Sequence, residues 1–101
     1  MKRVLPTMTL LLVCALPVRA DLALATSKNC MSCHAVERKL LGPSFKAVAD
    51  RYRGQKPALD QLAAKIRSGG AGAWGPIPMP ANTQVSESDA RKLATWVLST
   101  P

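Results

Sequence analysis

Aromatic side chains are scarce: two tryptophans, one tyrosine and one phenylalanine in 101 residues. A small domain then has few large groups with which to fill a core. Histidine occurs once, so no pair of imidazoles can share acid and base duties. Acidic residues are few, six against fourteen lysines and arginines, and the formal charge is +8. The basic residues are scattered from Lys28 to Lys92 with no run interleaved with aromatics, so the footprint of a nucleic-acid binder is missing. Such a surface suits solvation and attraction to an acidic protein. Convincing strand patterns and internal repeats are lacking too, which speaks against sheet-built and solenoid folds. The one long apolar stretch, residues 4–18, has an unbroken core from Leu10 to Leu16, too short to span a bilayer.

What is present begins with an address. Lys2 and Arg3 precede the apolar stretch, and Val18-Arg19-Ala20 resembles an A-x-A-like cleavage site. Residues 1–20 therefore read as a secretory signal peptide, removed on export, rather than a membrane anchor. Processing as a lipoprotein at Cys14 is disfavoured by the bulky Val13, so Cys14 leaves with the signal. Residues 21–101 remain as one domain of 81 residues with a formal charge of +5. Its core is marginal without a staple.

Cys30-Met31-Ser32-Cys33-His34 carries two thiols and an imidazole in the C-x-x-C-H spacing of covalent c-type haem attachment. The thiols add across two vinyl groups and become thioethers. Two intervening residues make one helical turn, so both sulfurs reach the same edge of the ring, and the next residue aims its imidazole at the iron. A closed zinc site needs four ligands, more than two cysteines and one histidine supply. A thioredoxin-like C-x-x-C needs a βαβ context, and none follows. A doubly tethered haem also provides the apolar mass that the aromatics do not.

Residues 22–29 are expected to form a short helix leading into this motif, with Asp21 at its positive end and Leu22 and Ala25 facing inward. Gly42-Pro43 signals a turn. A ligating histidine normally donates its second ring N–H to a carbonyl or carboxylate, and a carbonyl of that turn can accept. Ser44 is expected to cap a helix at 45–52 with Phe45, Val48, Ala49 and Tyr52 on one face. Gly54 ends it, and Pro57 opens a helix at 58–68 whose stripe is Leu59, Leu62, Ala63 and Ile66. A last helix at 87–99 has Ser86 as N-cap and Asp89 completing an approximate capping box. Its stripe is Ala90, Leu93, Ala94 and Val97, with Trp96 beside it, and it is expected to cross the N-terminal helix. The fold class is all-α, about four short helices around one haem.

The segment 69–85 is a loop rich in glycine and proline. Gly70-Ala71-Gly72-Ala73-Trp74-Gly75 is formally G-x-G-x-x-G, but a dinucleotide fingerprint follows a strand and opens a helix. Here it follows a helix and runs into Pro76, Pro78 and Pro80. Loops this long in small domains are usually functional. Its cargo is Met79, because a methionine thioether opposite a histidine raises the haem's reduction potential. Met1 and Met8 leave with the signal, and Met31 lies inside the attachment loop on the histidine side.

These runs together resemble the short bacterial class I cytochromes c, specifically the cytochrome c-551/c-552 group of periplasmic electron carriers. The match spans essentially the whole mature chain: Cys30-Met31-Ser32-Cys33-His34, Gly42-Pro43-Ser44-Phe45, Trp74-Gly75-Pro76-Ile77-Pro78-Met79-Pro80, and Ala94-Thr95-Trp96-Val97-Leu98-Ser99. The resemblance implies one haem c on Cys30 and Cys33 with His34 and Met79 as axial iron ligands. It implies that the Pro43 carbonyl accepts from His34, that Trp74 hydrogen-bonds a haem propionate, and that Asn82 donates to the Met79 sulfur. Lys65 stands where some members have an arginine near a propionate. Asn29 stands where many have glycine, and asparagine tolerates the left-handed conformation better than most residues.

A monomeric, periplasmic one-electron carrier is the expected function. Acidic redox proteins would dock transiently at the haem edge: a membrane cytochrome complex as donor, a terminal reductase or oxidase as acceptor. A haem enzyme or gas sensor needs an open iron site, which Met79 argues against. A haem-free interaction module or thiol oxidoreductase is the remaining alternative, separable by polypeptide mass.

Overall fold

The computed structural model describes residues 1–2, 10–12 and 17–101. Most of the segment expected as a signal peptide therefore lies outside the described residues. Four α-helices and one 3-10 turn follow in order: α1 (Pro17–Ser27), the turn (Cys30–Ser32), α2 (Phe45–Tyr52), α3 (Ala58–Ser68) and α4 (Glu87–Leu98). No strand occurs among the described residues, only an isolated antiparallel bridge between Gly70 and Met79.

Helix α1 corrects the expected helix at both ends. It begins at Pro17 and stops at Ser27. Proline suits a first helical turn, whose N–H groups have no intrahelical acceptor. Within the helix the Thr26 and Ser27 hydroxyls donate back to the Leu22 and Leu24 carbonyls, both at 2.8 Å, which satisfies these short polar side chains without their leaving the helix. The inward face is also revised. Ala25 is fully buried, but Leu22 is 39% exposed, and Leu24 packs on the core instead. The less exposed stripe runs Asp21, Leu24, Ala25, Lys28, with only Ala25 fully buried, a helical i, i+3, i+4, i+7 set. Leu22 falls outside it.

The other helices follow their local signals. Ser44 accepts from the Ala47 N–H at 3.0 Å and Ser86 from the Asp89 N–H at 3.0 Å, so each hydroxyl satisfies a donor that the first turn leaves open. In α2, Phe45, Val48 and Ala49 are buried and Tyr52 is partly so. In α3, Ala58 and Ala63 are buried, with Leu59, Leu62 and Ile66 packed against the core. Helix α4 buries Ala90, Leu93, Ala94, Trp96 and Val97. It packs against α1 and α2, and most extensively against α3. The exposed Arg91–Asp60 ion pair bridges α4 and α3. Helices α2, α3 and α4 leave a cavity on the side of the 3-10 turn and the 69–85 loop.

Candidate cofactor pocket

Asn29 begins the site. It takes φ 64 and ψ 16, the left-handed region that asparagine enters more readily than other side-chain-bearing residues. That reversal ends α1 and starts the 3-10 turn. Within the turn, Cys33 and His34 both donate their backbone N–H to the Cys30 carbonyl, at 3.2 and 3.0 Å. The two thiols and the imidazole are thus gathered within one turn of backbone. Burial pushes the Cys30 thiol above its ordinary pKa; a backbone hydrogen bond opposes the shift, and the neighbouring Cys33 adds to it.

The imidazole is fixed from two sides. His34 Nδ1 lies 2.8 Å from the Pro43 carbonyl oxygen. A carbonyl only accepts, so Nδ1 carries the proton and Nε2 keeps its lone pair for a metal. The ring also stacks on Phe45, centroids 5.1 Å apart and planes 23° apart, while Phe45 meets Trp96 edge-on at 5.3 Å. A scarce aromatic is thereby spent on orienting the histidine and joining it to α4.

Gly42 has a role that its reading as a turn residue missed. Its N–H donates to the Cys33 carbonyl at 2.8 Å, and a Cβ at this position would meet the imidazole, with Nδ1 at 2.7 Å. Gly42→Ala should force the His34 ring off the Pro43 carbonyl. The expected result is a loss of about 1–3 kcal/mol, typical of overpacking, together with a shifted reduction potential in the haem-loaded protein. Thermal unfolding and a redox titration measure the two effects.

The loop carrying Met79 is held at its base. Gly70 and Met79 exchange backbone hydrogen bonds, Gly70 N–H to Met79 O at 3.0 Å and Met79 N–H to Gly70 O at 2.8 Å. Gly69 sits at φ 71, and a Cβ there would strike the backbone of 79–81, with the Ala81 nitrogen at 2.8 Å. Only glycine lets α3 end this close to the returning strand of loop. The Gly69-Gly70 pair signals a helix end in sequence; the backbone crossing is visible only in three dimensions.

Seven of the eight candidate cofactor-binding residues line one cavity of about 180 Å³: Cys30, Cys33, His34, Pro43, Lys65, Trp74 and Met79. Leu41, Ile66, Ile77, Leu93 and Val97 complete much of its wall. Asn82 is the exception. Its side-chain amide donates to the Ile66 carbonyl at 2.9 Å, and its backbone N–H reaches the same oxygen at 3.2 Å. That use ties the end of the loop to α3. Trp74 lines the cavity yet remains 37% exposed, and Lys65 runs alongside Gly70. Met31 packs on the core and is not part of the wall.

The donor set suits a haem. Two thiols and an imidazole come from one turn, a thioether comes from a separate loop, and the wall between them is mostly apolar. Among the described residues no group of three or more His, Cys, Asp or Glu could hold a bare metal ion.

Comparison with known proteins agrees with this chemistry. The Cytochrome c family model matches residues 22–101. A cytochrome c-551 of Azotobacter vinelandii is 56% identical over 73 residues, covering 72% of this chain and 88% of that protein. A cytochrome c-551 of Allochromatium vinosum is 48% identical over 79 residues, covering 78% and 84%. The crystal structure of wild-type Nitrosomonas europaea cytochrome c552 superimposes with a TM-score of 0.78 at 46% identity, over 80% of this chain and all of that one. Motif, fold and relatives coincide: the chain belongs to the cytochrome c family, in its class I c-551/c-552 group, and is an electron-transfer protein with one covalently bound haem c rather than an enzyme.

Proposed function

We propose that residues 21–101 form a periplasmic, monomeric, monohaem electron carrier exported by a cleaved leader at residues 1–20. Cys30 and Cys33 would hold the haem through thioethers, with His34 Nε2 and the Met79 sulfur as the axial ligands. When bound, the haem supplies a reversible one-electron change at its iron. The protein's part is to keep that iron closed to reactants and to set its potential. The Pro43 carbonyl holds the imidazole in one tautomer and one orientation, which also raises its basicity as a ligand. Trp74 and Lys65 would serve the propionates. Asn82, besides anchoring the loop to α3, would donate its second amide hydrogen to the Met79 sulfur.

The observation that carries this reading is the commitment of His34 Nδ1 to Pro43. It leaves Nε2 available in a pocket shared with two thiols and a methionine. Maturation in a host with cytochrome c assembly machinery, followed by polypeptide mass and a redox-titrated spectrum, tests it. A covalent haem and a weak red charge-transfer band from thioether-to-ferric-iron ligation are expected. A colourless product would end the proposal, and a high-spin spectrum that shifts readily with carbon monoxide would turn it towards an enzyme or sensor.

The partners would be acidic redox proteins, a membrane cytochrome complex on one side and a terminal reductase or oxidase on the other. No helix among the described residues is long and apolar enough to cross a membrane. With exposed basic residues scattered over the surface, long-range attraction would steer docking and be screened by salt. The rate of reduction by a natural partner should fall severalfold between about 10 mM and 150 mM ionic strength, as the screening length shrinks from ~30 to ~8 Å. A rate indifferent to salt in stopped-flow measurements would remove the electrostatic part of the proposal.

A further inference from the structure

The tip of the loop between Gly70 and Met79 is loosely held by its own chemistry. Gly72 and Gly75 take φ 90 and φ 116, and no atom lies within 4 Å of where their Cβ atoms would stand. The one backbone hydrogen bond within the tip runs from the Gly72 N–H to the Gly75 carbonyl at 3.1 Å. Among the described residues, Arg51 is the only side chain from outside the tip that hydrogen-bonds to it.

Arg51 makes two contacts there. Its Nη1 donates to the Ala73 carbonyl oxygen at 2.5 Å, and its guanidinium lies over the Trp74 ring with Cζ 4.5 Å from the centroid. Tyr52 flanks it at 5.7 Å. No carboxylate among the described residues pairs with it; Asp50 pairs with Arg53. Arg51 occupies the last turn of α2, where the helix's carbonyl end favours a cation. The planar, always-charged guanidinium can stack and donate at once, which an ammonium cannot reproduce.

We propose that Arg51 is a positioning residue of the cofactor pocket, a clamp that holds Trp74 and the loop tip over the cavity and so keeps Met79 presented to the iron. The clamp acts through the loop and touches neither the sulfur nor the ring. This inference rests on the haem reading of the pocket. Without the clamp the tip pivots about the Gly70–Met79 base, and both Trp74 and the Met79 side chain open more often. A cation–aromatic contact together with a charged hydrogen bond of this geometry is enough to change such an opening equilibrium by about tenfold.

Arg51→Leu and Arg51→Lys in the full haem-loaded protein test it. The first readout is solvent exchange of the Trp74 indole N–H by NMR, expected about tenfold faster in the leucine variant. The second is the concentration of added imidazole that abolishes the red charge-transfer band, expected about tenfold lower because a site open more often captures a competing ligand more readily. The lysine variant should fall between, since it keeps a donor but loses the planar stack. Thermal unfolding is the control, with a change no larger than an ordinary surface substitution produces. Wild-type values of indole exchange and imidazole competition in both variants would overturn the proposal. So would shifts that merely track a matching loss of global stability. In the haem-loaded protein a difference in indole exchange between wild type and variant reads the clamp, whereas a missing band in the wild type would indict the haem assignment itself.

Discussion

Met79→Ala should yield a protein that keeps its haem, loses the red charge-transfer band of the ferric form, and has a reduction potential lower by ~0.1 V or more, a part of the ~0.8 V over which axial ligands move haem potentials. The haem should stay because its proposed tethers, Cys30 and Cys33, lie in the 3-10 turn, remote in sequence from the loop. The loop also survives, because Gly70 and Met79 are joined by backbone hydrogen bonds that alanine preserves. The substitution thus removes a ligand without removing its scaffold. No other methionine of residues 21–101 replaces the thioether, since Met31 packs against the core and is absent from the cavity wall. The vacated position should accept exogenous imidazole or carbon monoxide, which the wild type resists. An unchanged potential would show that another side chain ligates the iron, and spectroelectrochemistry decides the matter.

Cys30→Ala combined with Cys33→Ala should abolish covalent haem altogether, so that the denatured polypeptide has the mass of the bare chain. Each single variant should retain one thioether. The turn itself persists, since the bonds that close it run from Cys33 and His34 N–H to the Cys30 carbonyl. Stability should fall sharply all the same. The core is made for the most part of small and medium side chains, with Leu93 of α4 and Val85 of the loop the largest that are fully enclosed, and such a core leans on the cofactor for its apolar mass. Emptying a site that one large buried aromatic fills already costs about 3–5 kcal/mol, and at ~4–8 °C per kcal/mol the melting midpoint should drop by roughly 10–40 °C. Mass spectrometry under denaturing conditions reads the attachment and calorimetry the stability. A doubly substituted chain that still carried covalent haem would mean that a group other than these two thiols holds it.

Much of the site could be read without coordinates because its chemistry is local. C-x-x-C-H gathers three donors within one turn, and a turn is closed by hydrogen bonds between near neighbours. The bounds of α2 and α3 followed from Ser44, Pro57 and the spacing of their apolar residues for the same reason. Less legible was anything set by a distant partner. The inward face of α1 shifted from Leu22 to Leu24 because α4 and the 3-10 turn determine what α1 buries. Asn82, expected only beside the Met79 sulfur, also spends its amide on the Ile66 carbonyl.

By itself the sequence determined the all-α class, the kind of cofactor and the identity of the candidate ligands, because capping, periodicity and thiol spacing act over a few residues. Only the tertiary structure decided why Gly42 and Gly69 carry no side chain, which His34 nitrogen faces the Pro43 carbonyl, and where Arg51 meets the loop. In each of these, two segments far apart in the chain meet at van der Waals or hydrogen-bonding distance, and short-range patterns hold no record of such meetings.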